Sequence, residues 1–202
     1  MTVAGIGRIL VASLHQGIAD VLPTRLEFYE HWLHPEGLRH GTIGLAPMHA
    51  VLSFLRQEGA AYHQICRRAG EYAADWTVAS QWAGRRAVVR SMPLPLRSRA
   101  VLRLARATIR RTYVGTRVSV RLRKRQGSVN VRASLFCTVR DSSDRPLCDF
   151  YAAVVSRLFE LHGVPAEVRL GPCLASGDAS CLIGVTVGEP ADSALLGLTP
   201  PA

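Results

Sequence analysis

Lysine is almost absent from this chain of 202 residues. Lys124 is the only lysine, so the formal net charge of +10 comes nearly all from arginine. Two interpretations stay open: a GC-rich genome that uses arginine in place of lysine, or a basic face that binds nucleic acid or anionic lipid. Nucleic acid is the less favoured partner, because charge alone supports it.

Long apolar runs are missing as well. No stretch approaches the roughly 18 to 20 uninterrupted apolar residues that a membrane-spanning helix needs. Arg8, His15 and Asp20 interrupt the apolar N-terminus, which also lacks a basic start and a small-residue cleavage site. We therefore expect a cytoplasmic protein with no membrane span. The hydrophobic share of 48% is enough to build a sizeable core.

The motifs of common catalytic sites are absent too. The sequence contains no Gly-rich phosphate loop, no HExxH, no G-x-S-x-G, no dinucleotide-binding fingerprint and no Fe–S cysteine set. No nucleophile, base and orienting group can be assembled from the residues that remain. We assign no catalytic residue and expect binding rather than catalysis.

Hydrophobic periodicity predicts an α+β fold with an antiparallel sheet. The predicted helices cover residues 1–22, 46–56, 60–80, 98–112 and 148–163. The predicted strands cover residues 117–123, 129–135, 167–170 and 182–187, the first two forming a hairpin around Gln126 and Gly127. Pro93 and Pro95 are expected to break the chain before the fourth helix. Loops are expected over 34–44, 141–146 and after Glu189. We divide the chain into a helical extension (1–56), a ligand-binding domain (57–189) and a loose tail (190–202).

The five cysteines are an odd number in a chain without a secretion signal, so a structural disulfide set is not expected. They are either buried hydrophobes or thiolate ligands. Cys173-Leu-Ala-Ser-Gly177-Asp178-Ala-Ser-Cys181 contains a turn that brings its two cysteines together, because Gly and Asp favour tight turns. Cys148 is a candidate third sulfur. Cys66 and Cys137 have no partner at a characteristic spacing and are interpreted as structural.

This cysteine segment resembles the C-terminal signature of the 4-vinyl-reductase-like domain family, Cys-x-x-x-Gly-Asp-x-x-Cys followed by a strand. Pro146-Leu-Cys148-Asp-Phe150 is similar to the family's cysteine-bearing helix, and Tyr62-His-Gln-Ile-Cys-Arg-Arg-Ala-Gly70 to its first core helix. The matches run from about residue 57 to 188. Ile43-Gly44 resembles the segment that precedes this domain in bacteriochlorophyll-biosynthesis members.

The resemblance implies the fold of Golgi transport-particle subunits, in which helices pack on a twisted antiparallel sheet and which is often dimeric. It implies a pocket for apolar ligands such as aromatic compounds or tetrapyrroles. It also implies zinc bound by Cys148, Cys173 and Cys181 with an acidic residue. The acidic position corresponds to Leu170, so Glu167, a histidine or water would complete the site. Thiols that only pack remain the alternative.

Two further sets of side chains are candidates. Six residues lie on the helices expected to face the ligand, with core packing as the alternative: Tyr62, Cys66, Trp76, Phe150, Tyr151 and Val154. Four arginines share one face of the fourth helix at i, i+4, i+7 and i+11: Arg99, Arg103, Arg106 and Arg110. That face is either solvated or a docking surface for an acidic partner or a propionate-bearing ligand.

Together these features predict a homodimeric binding protein that acts as a carrier, sensor or accessory factor for an apolar small molecule. A tetrapyrrole or another fused apolar ring is the ligand class that the resemblance favours. Two alternatives remain: a vinyl reductase component that depends on a separate redox partner enzyme, and a scaffold subunit that uses the arginine-rich surface.

Overall fold

The computed structural model describes residues 5–33, 44–138 and 143–188. Within them the chain forms seven α-helices and one four-stranded sheet, so the α+β prediction is confirmed. The helices are α1 (Arg8–Val21), α2 (Leu26–Leu33), α3 (Leu45–Gln57), α4 (Ala60–Ala79), α5 (Ala83–Ser91), α6 (Leu94–Arg110) and α7 (Asp149–Leu161). The strands are β1 (Arg117–Arg123), β2 (Gln126–Arg132), β3 (Ala166–Leu170) and β4 (Cys181–Val187).

The sheet has the order β1-β2-β4-β3, and every neighbouring pair is antiparallel. Its central strand β4 buries alternate residues, as expected for a strand with one face on the core. Helix α6 packs against β1 and α7 packs against β3. Helix α4, the longest, lies between α1 and α7. The core is therefore continuous from α1 to the sheet.

Glycines allow the closest helix contacts. A methyl group at Gly70 of α4 would lie 2.4 Å from the Phe150 carbonyl oxygen and 2.7 Å from the Ala153 methyl on α7. A methyl group at Gly17 of α1 would lie 2.8 Å from the Ile65 carbonyl oxygen on α4. Neither site has room for a side chain, so both helix pairs approach more closely than larger residues would allow.

Two boundary predictions are wrong. Pro93 does break the chain, between the end of α5 at Ser91 and the start of α6, but α6 begins at Leu94 rather than near Ser98, so Pro95 lies in its first turn. Proline is tolerated there since the first helical turn has no intrahelical partner for its N–H. Gln126 and Gly127 lie inside β2, where they pair with Arg123 and Leu122. The turn is Lys124–Arg125, with Lys124 at φ 56°.

The predicted loop at 34–44 falls largely outside the described residues, as does the tail 190–202. Between Val21 and Leu33, a region for which no element was predicted, a 3-10 turn and α2 continue the chain. None of the helices in the described ranges has the length and apolar character needed to cross a bilayer.

Candidate metal centre and adjacent groove

Four buried cysteines converge where the helices meet the sheet. The sulfur atoms of Cys137, Cys148, Cys173 and Cys181 all lie within 4.8 Å of one another. The Sγ of Cys173 is 3.4 Å from that of Cys137, 3.6 Å from that of Cys148 and 3.8 Å from that of Cys181. None of them forms a disulfide. The four buried thiols form a group able to bind a metal ion.

Each sulfur comes from a different local structure. Cys137 ends the 3-10 turn Leu135–Cys137 that follows β2, and Cys148 is the N-cap of α7. Cys173 precedes the 3-10 turn Leu174–Ser176, and Cys181 begins β4. A metal at this point would bind side chains from four separate segments of the chain.

The turn predicted between Cys173 and Cys181 is present. Gly177 adopts φ 92°, a left-handed conformation that glycine accepts without strain. The backbone N–H of Cys173 donates to Oδ2 of Asp178 over 2.7 Å, and the N–H of Asp178 donates to the Cys173 carbonyl oxygen over 3.2 Å. These bonds hold Cys173 in a fixed position next to Cys181.

The fourth member of the group is Cys137 and not the expected Glu167. Glu167 was the candidate, but it lies on an exposed position of β3, where its carboxylate pairs with Arg169 at 2.6 Å. It is not part of the group of ligand atoms. Cys137, interpreted from the sequence as structural, occupies the fourth place. The correction follows from the strand geometry, because alternate residues of β3 point away from the core.

The electrostatics of the group favour the thiolate at two of its four cysteines, Cys173 and Cys181, and the neutral thiol at Cys137 and Cys148. Hydrogen bonds from the Cys137 and Cys148 thiols lower the pKa of Cys173 well below its ordinary value. The contact with the Cys137 sulfur likewise lowers the pKa of Cys181. The same contacts raise the pKa of Cys148. Negative charge is thus stabilised at Cys173 and Cys181, and the thiolate is the form that binds metal.

Cys66 lies apart from this group. It is fully buried on α4, and that burial raises the pKa of its thiol. It is a neutral side chain in the core, as the sequence interpretation of Cys66 as structural predicted.

Most of the predicted ligand-pocket residues lie in packed core. Tyr62, Phe150, Tyr151 and Val154 are buried, and the Tyr62 hydroxyl donates to the Leu147 carbonyl oxygen over 3.0 Å. The rings of Phe150 and Tyr151 also contact each other, with centroids 5.7 Å apart. Trp76 differs, because it is partly exposed and packs on the Tyr72 ring with centroids 5.5 Å apart.

A groove of about 450 Å³ runs along the surface above these residues, between α4, α7 and β3. Apolar side chains line part of it: Ala152, Ala153, Val168 and Leu170. Charged side chains line the remainder: Arg67, Arg68, Glu71, Asp149, Arg157 and Glu160. Ser156 also lines the groove, which thus combines apolar surface with three guanidinium groups and three carboxylates. Its volume falls within the range of small-molecule sites.

The four arginines of α6 lie where the helical spacing predicted. Arg99, Arg103, Arg106 and Arg110 are all exposed, opposite the buried Leu102, Ala105 and Ile109. None of the four guanidinium groups pairs with a carboxylate of the described residues. They are therefore accessible as a basic surface.

No protein-family model matches the chain, and no curated protein matches it. Solved structures do match. An H-NOX protein mutant from K. algicida, in the Fe(II) unliganded state, has a TM-score of 0.60 at 14% identity and covers 91% of this chain and 97% of its own. An H-NOX protein from S. oneidensis, in the Fe(II)NO ligation state, has a TM-score of 0.53 at 10% identity and covers 91% and 100%.

A third match is a trafficking protein particle complex subunit 3 from Naegleria fowleri, covalently bound to palmitic acid. Its TM-score is 0.51 at 12% identity, and the match covers 72% of this chain and 93% of the subunit. At these identities the likeness concerns the fold alone. The predicted transport-particle-like fold is confirmed, while membership of the 4-vinyl-reductase-like family stays a prediction.

Proposed function

We propose that this chain is a carrier or sensor for a small apolar molecule, built around a structural zinc ion held by Cys137, Cys148, Cys173 and Cys181. The observation that carries the proposal is the group of four buried sulfurs. Zn–thiolate bonds of about 2.3 Å in a tetrahedron place neighbouring sulfurs about 3.8 Å apart. The sulfur–sulfur distances of 3.4 to 3.8 Å around Cys173 are close to that value.

The donor set favours zinc in a structural role. Four thiolates in tetrahedral arrangement suit zinc or iron, and carboxylate-preferring ions such as magnesium or calcium are excluded by the soft ligands. With four protein ligands no position stays open for a substrate or water, as a catalytic zinc requires. Because Cys137 supplies the ligand, Glu167 is not needed to complete the site.

The ligand-binding part of the proposal is supported by the groove beside this centre. Its apolar side chains suit a hydrophobic ring system. Arg68 and Arg157 are held in ion pairs at 2.9–3.1 Å, but the Arg67 side chain is 64% exposed and 3.8 Å from Asp149, so it is the guanidinium best able to bind a carboxylate on that ring. A tetrapyrrole with propionate groups has this combination. The fold neighbours support a small-molecule binding role, since one of them is covalently bound to palmitic acid and another is in the Fe(II)NO ligation state.

Metal analysis and native mass spectrometry of the purified chain test the centre. We expect one zinc per chain, lost or greatly weakened in Cys137→Ser, with Cys66→Ser as the matched control that keeps it. If Cys137→Ser keeps its full zinc and Glu167→Gln loses it, the fourth ligand is Glu167 and not Cys137. A metal-free wild-type chain that also fails to take up added zinc would remove the centre altogether.

Fluorescence titration with protoporphyrin tests the groove. Ala152→Leu fills part of the groove with a larger side chain, and we expect it to weaken binding at least tenfold. Ala79→Leu is the control, because it makes the same change at an exposed position near the end of α4, outside the groove. Equal affinity of the two variants would place the ligand elsewhere, and absence of binding by the wild type would exclude this ligand class.

A further inference from the structure

Charge is distributed very unevenly along this chain. Residues 76–140 contain 16 of the 25 basic residues and none of the 15 acidic residues. The remaining residues contain nine basic and 15 acidic side chains and are net acidic, so the net positive charge of the protein comes from this one stretch. It forms α5, α6, β1 and β2, and it stays together in the fold because α6 packs on β1 and β1 pairs with β2.

The arginines of this stretch are not neutralised by the rest of the molecule. Each ion pair in the described residues involves an arginine or histidine from outside it, such as Arg68 with Asp20 or Arg157 with Asp75. Arg85 and Arg86 of α5 and the four arginines on α6 have no carboxylate partner among the described residues. Their charge is therefore available to an anionic partner.

Apolar side chains are exposed in the same region. Trp82 is 72% exposed, Val88 55%, Leu94 40% and Leu96 52%. All four fall within residues 82–97, which we call the 82–97 segment. Its helix α5 has no buried residue at all. Exposed apolar residues are ordinary when scattered, but four within sixteen positions are a concentration that no other part of the described chain reaches.

The segment is held on the protein by backbone contacts rather than by burial of its apolar side chains. Arg90 donates to the Leu161 carbonyl oxygen over 3.0 Å, and Arg97 donates to the Gly163 carbonyl oxygen over 3.4 Å. These two arginines dock α5 and the start of α6 near the C-terminal end of α7. The four apolar side chains of the segment therefore stay exposed to solvent and available to an apolar partner.

A lipid surface accounts for both the unpaired arginines and the exposed apolar side chains, whereas nucleic acid accounts only for the arginines. Phosphates of either kind attract arginine, but the aliphatic side chains of Val88, Leu94 and Leu96 gain little from contact with a nucleic-acid backbone. At a bilayer interface such side chains and a tryptophan enter the boundary between headgroups and acyl chains, while arginines bind lipid phosphates. A nine-residue helix such as α5 is too short to span a bilayer and suits an orientation in its plane.

We propose that the 82–97 segment docks this protein on the surface of an anionic membrane, with Trp82, Val88, Leu94 and Leu96 inserted and the arginines of α5 and α6 on the lipid phosphates. This surface does not depend on the metal centre or on the groove. A protein that carries an apolar molecule would meet its ligand at such a surface.

Vesicle sedimentation of the full chain tests the proposal. We expect binding to vesicles that contain phosphatidylglycerol and little binding to pure phosphatidylcholine, with affinity falling as salt is added. Arg85→Gln and Arg86→Gln are each expected to weaken binding about fivefold at low salt. The double variant Trp82→Ser with Leu96→Ser is expected to weaken it about tenfold or more at unchanged charge.

Tryptophan fluorescence identifies the inserted side chain. The emission is expected to shift to shorter wavelength on anionic vesicles in wild type and in Trp76→Phe, and to lose that shift in Trp82→Phe. Trp76 is a matched control because it is partly exposed on α4, outside the segment. Failure of the wild type to bind anionic vesicles overturns the proposal. So does salt-sensitive binding to a DNA duplex that is tighter than binding to vesicles and unaffected by the Trp82 and Leu96 changes.

Discussion

At the scale of single residues, Gly70 decides how closely α4 and α7 approach. The sequence pattern placed this glycine at the end of a helix motif but did not say what it contacts. In the structure the Phe150 carbonyl oxygen and the Ala153 methyl group occupy the space that a side chain would need. The close approach of α7 to α4 therefore depends on the glycine of α4.

Gly70→Ala is therefore expected to destabilise the protein by about 1–3 kcal/mol, because a new methyl group must push two packed helices apart. Alanine in a helix interior is otherwise favoured over glycine by about 1 kcal/mol, so a loss of stability in Gly70→Ala would have to come from the steric conflict with α7. Urea denaturation measures the free energy of unfolding. Gly184→Ala is the control, because its methyl group would meet its nearest neighbour at 3.8 Å. Equal stability of the two variants would contradict the close approach.

Asp20 shows a second residue-scale effect, on the pH dependence of stability. It accepts hydrogen bonds from Arg68 over 2.9 Å, from Tyr72 over 2.7 Å and from Gln16 over 3.1 Å. The bonds from Arg68, then Tyr72 and Gln16, lower the pKa of the Asp20 carboxyl below its ordinary value. A lowered pKa in the folded state stabilises the fold above the ordinary aspartate pKa of about 3.9, and that contribution is lost as pH falls through the folded-state pKa.

Asp20→Asn is expected to cost about 0.5–1 kcal/mol at neutral pH, a modest amount because Arg68 is largely exposed to solvent. The unfolding free energies of variant and wild type should converge as the solution becomes more acidic than the range of free aspartate. Denaturation curves at several pH values measure this, with Glu27→Gln, an exposed carboxylate on α2, as control. If the difference in unfolding free energy between Asp20→Asn and wild type stays constant down to acidic pH, the charge of Asp20 does not contribute to stability.

At the scale of elements, the turn between β3 and β4 sets the position of two sulfurs. Gly177-Asp178 was recognisable in the sequence because its turn chemistry is local. The turn works through Asp178, whose carboxylate accepts the N–H of Cys173 itself. The turn of the β1–β2 hairpin was predicted at the wrong residues. The true turn, Lys124–Arg125, contains no glycine, and the prediction placed it at the neighbouring Gln126-Gly127.

Asp178→Ala is expected to weaken zinc binding about 10- to 100-fold, as loss of a group that orients a metal ligand commonly does. The expected reason is the freed Cys173 backbone, not a lost ligand, because Asp178 is not one of the four clustered side chains. Competition with a zinc chelator measures the affinity, and Asp144→Ala, in the exposed loop before α7, is the control. Unchanged affinity in Asp178→Ala would show that the turn holds Cys173 without its carboxylate.

At the scale of the whole molecule, one core joins α1, the central helices and the sheet. The cysteine group sits where four of its segments meet, so metal binding and folding are expected to be coupled. Stripping zinc is expected to remove about 3 kcal/mol or more of stability, which corresponds to roughly 6–12 °C in Tm for a chain of this size. Calorimetry with and without chelator measures it, and Cys137→Ser should already have the lower Tm and respond little to chelator. An unchanged Tm after verified metal loss would separate the centre from folding.

Local patterns in the sequence were sufficient for the α+β class, the existence of most helices, the last two strands, the exposed arginine face of α6 and three of the four clustered cysteines. Apart from Cys148, which the family resemblance linked to the other two cysteines, each of these depends on periodicity or turn chemistry within a few neighbouring residues. Only the tertiary structure decided that Cys137 joins the group, that Glu167 points away from it and that Tyr62, Phe150 and Tyr151 are buried in the core. Cys137 and Cys181 are 44 positions apart, and their sulfurs meet at 3.4 Å because the chain folds β2, α7 and β4 around a shared core. A set of ligands brought together in this way has no fixed spacing in the sequence.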